Sequence, residues 1–251
     1  MEILFLTLEN FSSYSDHDMY ADVMNVFIRQ GHRVHTVAPA YQTGKTKLHK
    51  EGESSILRVC TDSTTGSKNL IKKGLSTLRI GTVFQSAIKK YYKDKRFDLV
   101  IYSTPPITFV APICYVRKKH GAKTYLMLKD IFPQNAVDLG MFSKTGLKSL
   151  PWLYFRWQEK QLYRQSDYIG CMSQANVEYL LRHNPEIPVE KVGICANSLR
   201  IPQRQEVDKD AVRRQYDLPL DKTVFIYGGN LGKPQGVEHI ITCLNNARGV
   251  K

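Results

Sequence analysis

Short apolar runs alternating with longer segments of helical spacing constrain this chain more than any single motif does. Ile3–Thr7, Val34–Ala38, Ile56–Val59, Leu99–Ser103, Thr124–Leu128, Tyr168–Met172 and Lys191–Ile194 read as strands. Between them, Tyr20–Gln30, Leu70–Lys93, Ile107–His120, Pro151–Gln165 and Ser173–His183 read as helices. Strands that alternate with helices need crossover connections, so the sequence predicts an α/β fold, a mostly parallel sheet with helices on both faces. The helix ends are punctuated to match. Gly31 and Gly121 follow the first and third helices, and Ser173 stands at the N-cap of the last. In such a sheet ligands collect beyond the carboxyl ends of the strands, which directs attention to Glu9–Asp18, Ser103–Pro106 and Lys129–Gln134.

At 251 residues the chain holds one large domain or two smaller ones. A net charge of +13 gives a basic surface suited to phosphorylated small molecules, anionic lipid or nucleic acid, and charge alone does not choose among them. The basic residues are scattered rather than gathered in one stripe, which disfavours nucleic acid. Cys60, Cys114, Cys171, Cys195 and Cys243 are widely spaced with no CxxC pair, so neither a zinc site nor a disulfide framework is expected. Met1–Leu6 has an acid at position 2 and too short an apolar stretch for a signal peptide. No segment approaches the roughly 20 apolar residues of a spanning helix. The expected address is the cytoplasm.

The richest local signal lies near the far end. Thr223–Ile226 reads as a strand, Tyr227-Gly228-Gly229-Asn230-Leu231-Gly232-Lys233-Pro234-Gln235-Gly236 as a glycine-rich turn, and Val237–Ile241 as a helix start. Strand, turn and helix N-terminus together aim backbone N–H groups and the helix dipole at an anion, so this is a candidate diphosphate cradle beside the alternative of a plain connection. It lacks GxGxxG spacing. Leu199–Lys222, with Pro202, Pro219, dense charge and one helical pattern at Asp208–Tyr216, reads as a linker into it.

Other motifs are weaker. Gly44-Lys45-Thr46 resembles the end of a P-loop, but Pro39 occupies the place of the first glycine, and a flexible basic loop is the plainer reading. Asp16-His17-Asp18 offers metal-ligand types, yet adjacent residues seldom converge on one ion, which favours helix capping. Lys129-Asp130 ends a buried strand as either a salt bridge or a substrate-facing pair. In Leu147–Gln165, Trp152, Phe155 and Trp157 interleave with Lys148, Arg156, Lys160 and Arg164, as in an interfacial helix on anionic lipid or an ordinary amphipathic helix with aromatics in the core. Asn10-Phe11-Ser12 is a glycosylation sequon that a cytoplasmic chain would not use. No Ser/His/Asp or Cys/His nucleophile set is readable.

Gly31-His32-Arg33-Val34, Asp130-Ile131-Phe132-Pro133, Ala196-Asn197-Ser198 and Gly229–Gly236, in this order, resemble family 4 glycosyltransferases, closest to the bacterial type that assembles capsule, O-antigen or exopolysaccharide units. The resemblance implies a GT-B fold of two Rossmann-like domains facing a cleft. Residues 1–198 would be a complete acceptor-binding domain, 199–222 a linker, and 223–251 only the start of a donor-binding domain, the chain being C-terminally truncated. It also implies a retaining transfer of a sugar from a nucleotide-sugar donor to a lipid-linked saccharide acceptor. Ser12, Ser13, Tyr14 and Ser15 would contact acceptor, and Lys129 and Asp130 would face the cleft as catalytic residues. Gly229, Asn230, Leu231, Gly232, Lys233 and Gly236 would take the donor diphosphate. No metal or other cofactor is implied. Separately from the resemblance, Trp152, Phe155 and Trp157 among cations predict peripheral attachment to the inner, anionic face of a membrane. Two departures stand out: Asn230 and Gln235 occupy places where many members carry Arg and Lys, and Phe11–Ser15 replaces the family's Gly-Gly loop. The other reading is an inactive chain that binds acceptor or a partner without turnover.

Overall fold

The computed structural model describes residues 1–40, 44–61, 70–146, 149–201, 206–232 and 235–247, with 70–78 as backbone alone. The chain divides into two compact units, Met1–Arg200 and Ile201–Lys251.

The first unit runs β1 (Glu2–Leu6), α1 (Met19–Arg29), β2 (Arg33–Pro39), β3 (Lys47–Glu51), β4 (Ser54–Val59), α2 (Leu70–Tyr91) and β5 (Leu99–Ser103). A 3-10 turn at Ile107–Phe109 leads into α3 (Val110–His120), followed by β6 (Lys123–Leu128), α4 (Gln134–Asp138), α5 (Ser149–Gln165), β7 (Tyr168–Cys171), α6 (Gln174–His183) and β8 (Val192–Ile194). The strands form one eight-stranded sheet in the order β3-β4-β2-β1-β5-β6-β7-β8. All neighbours are parallel except the β3–β4 hairpin.

Strand alternation builds two cores. Leu4 and Leu6 of β1 point with Val37, Val100, Tyr102 and Leu126 toward Phe84 and Ile88 of α2, Ile113 of α3, Leu162 of α5 and Leu180 of α6. Ile3 and Phe5 point the other way, with Val34 and Ile101, to meet Ala21 and Met24 of α1 and the rings of Phe11 and Tyr14. Helices on both faces bury both sides of the central strands, which is why those strands read as continuous apolar runs.

The predicted strands of this unit are all present. Among the described residues, β3 and α4 escaped the sequence reading. β3 is an exposed edge strand whose charged residues suit an edge better than a core, so it carries no apolar alternation. The five-residue α4 is too short to show a helical period. The caps follow residue chemistry. Asp18 accepts from the Tyr20 and Ala21 amides at 2.8 and 2.9 Å to start α1. Gly121, at φ +68°, closes α3 in the left-handed region, where a glycine carries no Cβ penalty.

The second unit holds α7 (Lys209–Gln215), capped by Asp208, and α8 (Val237–Asn246). Thr223–Ile226, expected as a strand, forms none, and Phe225 and Ile226 are each 83 % exposed. A strand exists only through pairing, and the described residues of this unit contain no other strand to supply it. None of the unit's described residues is buried.

Candidate active site at the carboxyl edge of the sheet

The strand order reverses between β1 and β5. From β1 the chain passes through α1 to β2 on one side, while β5, on the other, continues outward to β6. Loops leaving two such strands diverge and open a crevice at the carboxyl edge. Three segments meet there.

The first is the start of the β1–α1 loop. Thr7 is buried, its amide bonded to the Val37 carbonyl, and its Oγ1 accepts from the Glu9 amide at 3.0 Å. The second is the end of β5, where Ser103 and Thr104 are buried ahead of Pro105 and Pro106. The third follows β6. The Lys129 and Asp130 amides donate to Thr104 Oγ1 at 3.1 and 3.4 Å, and that hydroxyl donates to the Asp130 carbonyl at 3.3 Å. One threonine thus fixes the backbone that presents both charged residues.

Tyr20, in the first turn of α1, lies beside this edge. Its ring packs on Phe5 at 5.3 Å, and its hydroxyl faces the Ser103 side chain. Burial raises its pKa, and the nearby carboxylates of Glu9, Asp130 and Asp18 add to the rise. The sequence reading placed Tyr20 only as a helix residue. Its one signal was position, directly after a capping aspartate at the end of a strand loop.

Lys129 and Asp130 lie where the sequence placed them. Partial burial lowers the Lys129 ammonium and raises the Asp130 carboxyl from their ordinary values. Lys129 Nζ donates to the Cys195 carbonyl beyond β8 at 3.4 Å, while Asp130 stands exposed at the rim. An amine that sheds its charge more readily beside a carboxyl that keeps its proton longer is the pattern of a site open to chemistry.

The Ser12–Ser15 loop lies elsewhere, and Tyr14 requires correction. Its hydroxyl donates toward the Val34 and Ser55 carbonyls, 2.9 Å each, lies 3.0 Å from Thr36 Oγ1, and accepts from the Thr36 amide at 3.1 Å. It is a core residue over the amino half of β2 and β4, with no surface to offer a substrate. Ser13 Oγ lies 2.7 Å from Ser15 Oγ and donates to Glu51 at 3.3 Å, beside the β3–β4 turn. Ser12 is exposed. At about 4.8 Å per strand, the span from β6 to β2 alone separates Tyr14 from Lys129-Asp130 by roughly 15 Å.

The aromatics assigned to a membrane helix are split. Phe155 stacks on Phe142 at 5.7 Å and meets Phe132 edge-on at 5.1 Å. Trp152 is half-buried with Lys144 Nζ 5.9 Å from its ring, and Trp157 is exposed. In the second unit, Tyr227 Oη donates to the Asn230 carbonyl at 2.9 Å, and Leu231 is 76 % exposed. Gly229 and Asn230 are exposed too, Gly232 is half-buried, and Gly236, at φ +61°, caps α8. Lys233 lies outside the described residues.

The profile of Glycosyltransferase Family 4 matches residues 20–198. The chain belongs to this family. The match starts at Tyr20 and spans Lys129-Asp130, while Ser12–Ser15 and Gly229–Gly236 fall outside it. Among individual relatives, the chain is 25 % identical over 235 residues to WcaI of Escherichia coli K12, described as a colanic acid biosynthesis glycosyl transferase, covering 87 % of this chain and 56 % of WcaI. It is 24 % identical over 198 residues to WbjE of Pseudomonas aeruginosa, described as a glycosyltransferase, covering 78 % of this chain and 48 % of WbjE. The chain therefore spans about half the length of these curated relatives. Among solved structures, the glycotransferase of kitacinnamycin superposes with a TM-score of 0.50 at 10 % identity, covering 82 % of this chain and 54 % of that one. This likeness concerns the fold, the α/β architecture of a GT-B glycosyltransferase.

Proposed function

We propose that this family 4 chain takes part in moving a sugar from a nucleotide-sugar to a lipid-linked saccharide acceptor, during assembly of a bacterial surface polysaccharide on the cytoplasmic side of a membrane. The observation that carries this reading is the anchoring of the Lys129-Asp130 backbone by Thr104 at the strand-order reversal, inside the family match. The names of WcaI and WbjE support the glycosyl-transfer class.

In this reading the acceptor sugar lies in the crevice between the β1, β5 and β6 loops. The Asp130 carboxylate accepts a hydrogen bond from the attacking hydroxyl, and Lys129 offsets negative charge beside it. A bond forms from that hydroxyl oxygen to the anomeric carbon as the bond to the diphosphate breaks. In a retaining transfer the departing phosphate takes the hydroxyl proton, so no protein nucleophile is needed. The Gly229–Gly236 turn and Lys233 hold the diphosphate, where stabilising the leaving charge is the main electrostatic demand.

Incubating the 251-residue chain with nucleotide-sugars and a lipid diphosphate sugar tests this reading. Extension of the acceptor is the expected result; no extension with any common nucleotide-sugar overturns it for this chain. A second reading, acceptor binding without turnover, is favoured by the exposed and unpaired state of Thr223–Ile226 beside the diphosphate turn. Calorimetric titration separates the two, since that reading predicts heat with acceptor and none with nucleotide-sugar.

A further inference from the structure

Helix α2 presents a polar stripe to a walled groove. Arg79, Thr82, Ser86 and Lys90 are all exposed and follow one another at three- and four-residue steps. At 100° per residue they share an arc of about 80°. Beside the stripe, Val83 and Ala87 form an apolar floor with Val59, the last residue of β4. The chain entering β3 supplies the opposite wall. The Thr46 carbonyl accepts from Tyr91 Oη at 3.2 Å, and Thr46 Oγ1 accepts from the Cys60 amide at 3.0 Å, so the wall is pinned to both the helix and the strand end. The space enclosed is about 440 Å³, within the range of small-molecule clefts.

The polar chemistry of this groove is one-sided. Arg79 and Lys90 stand at its two ends, roughly 16 Å apart along the helix axis. Among the described residues neither forms an ion pair, and no Asp or Glu lines the groove. Between the two cations the hydroxyl protons are already spent. Thr82 donates to the Arg79 carbonyl at 2.8 Å and Ser86 to the Thr82 carbonyl at 2.9 Å, which leaves both oxygens as acceptors. The groove thus offers cations to acidic groups, lone pairs to hydroxyl groups and an apolar floor to a ring face.

We propose that this groove binds an acidic saccharide, a run of sugar units bearing carboxylate or phosphate, as part of the acceptor. Such a molecule carries all three complements at once: anionic groups for Arg79 and Lys90, hydroxyl donors for Thr82 and Ser86, and ring C–H faces for Val83 and Ala87. Position ties the groove to the crevice. Val59 ends β4 at the same carboxyl edge as Thr104 and Lys129, and β2 alone separates β4 from β1, about 10 Å at 4.8 Å per strand. An acceptor of several units places its reacting sugar in the crevice and its further units along α2. In this respect the inference rests on the proposed transfer, while the ligand chemistry of the groove does not.

Calorimetric titration of the full chain tests the groove, with tetrasaccharides of hyaluronan and of polygalacturonate as acidic probes and chitotetraose as the neutral one. At least one acidic tetrasaccharide is expected to bind roughly tenfold or more tightly than the neutral one, and to weaken with salt. The double variant Arg79→Gln, Lys90→Gln should remove that preference while its melting temperature holds, because both side chains are exposed. Ser86→Leu, which fills the groove without touching charge, should weaken acidic binding by a similar factor. Equal affinity for acidic and neutral probes, no binding of either acidic probe at millimolar concentration, or unchanged binding in both variants overturns the proposal. So does full displacement by inorganic phosphate at equal concentration, which reduces the groove to a simple anion site. Transfer assays separate this inference from the reaction. The double variant should extend a lipid diphosphate monosaccharide as wild type does, and a longer acidic acceptor more slowly. Transfer without tetrasaccharide binding removes only the groove, and tetrasaccharide binding without transfer removes only the sugar chemistry.

Discussion

The two ends of the sheet invite opposite conclusions from sequence chemistry and from geometry. At the amino end, Ser55 Oγ lies 2.7 Å from His35 Nδ1, and His35 Nε2 lies 2.6 Å from Glu2, the order of groups in a hydrolase relay. The serine is buried and also meets Tyr92 Oη at 3.0 Å, while Glu2 is held by Arg33 and faces Lys95 at 3.8 Å. Each of these groups has a partner inside the protein, and Ser55, His35 and Tyr92 are buried. At the carboxyl end, Thr104 aligns the Lys129-Asp130 backbone while the Asp130 carboxyl stands at the rim. A closed network holds a fold; a prealigned but unsatisfied charge is available for chemistry. Partner satisfaction, more than residue type, tells the two apart.

The sharpest way to break this contrast is Asp130→Asn, which should reduce transfer by about 10²-fold or more while leaving the fold intact. Wild-type transfer should also fall on acidification, with a midpoint above the ordinary aspartate value of about 3.9, because burial raises this carboxyl. A rate profile flat to lower pH would remove Asp130 from the reaction.

Tyr14→Phe should act in reverse, costing about 1–3 kcal/mol of stability through the unmet Val34, Thr36 and Ser55 groups, with acceptor affinity unchanged. Urea unfolding alongside acceptor titration checks this. Weaker acceptor binding at full stability would restore Tyr14 to the site.

The amino-end network should also set an acid limit. Burial lowers the His35 pKa, so the unfolded chain binds that proton first and stability falls as pH drops below about 6.5. Burial opposes the shift of Glu2, but bonds from His35 and Arg33 hold its carboxyl below the usual range, extending the loss as pH falls through the carboxylate region. In a variant with His35→Gln the first part of the loss should vanish and the second remain, as read by thermal melts across pH. The smallest effect is again at the carboxyl end. Asp130 ionises less readily in the fold, so Asp130→Asn should raise stability by at most a few tenths of a kcal/mol, reduced by its solvent exposure. A clear loss of stability would instead place Asp130 in a structural bond.

Much of the fold was legible because strand and helix periods are local. Buried β1 and β5 show in their apolar runs, and Asp18 and Ser173 show as caps through their own side chains. The charged edge strand β3 left no such trace, and Thr223–Ile226 reads as a strand although strand formation needs a neighbour. Of the site, Lys129 and Asp130 were legible from their place at a strand end, and Thr104 lay within the segment Ser103–Pro106 picked out for the same reason, whereas Tyr20 was not.

The sequence alone determined an α/β chain with a basic surface and its glycosyltransferase family resemblance, since composition, periodicity and motif order survive without coordinates. Only the tertiary structure decided which residues meet. It set β5 beside β6 and so brought Thr104 to Lys129 and Asp130, turned Tyr14 into the core, and gave α5 an outer face of Leu150, Leu153, Tyr154 and Trp157. The physical reason is the same in each case. A side chain's type is written locally, but its burial and partners depend on strand order and helix rotation, which the whole sheet sets together.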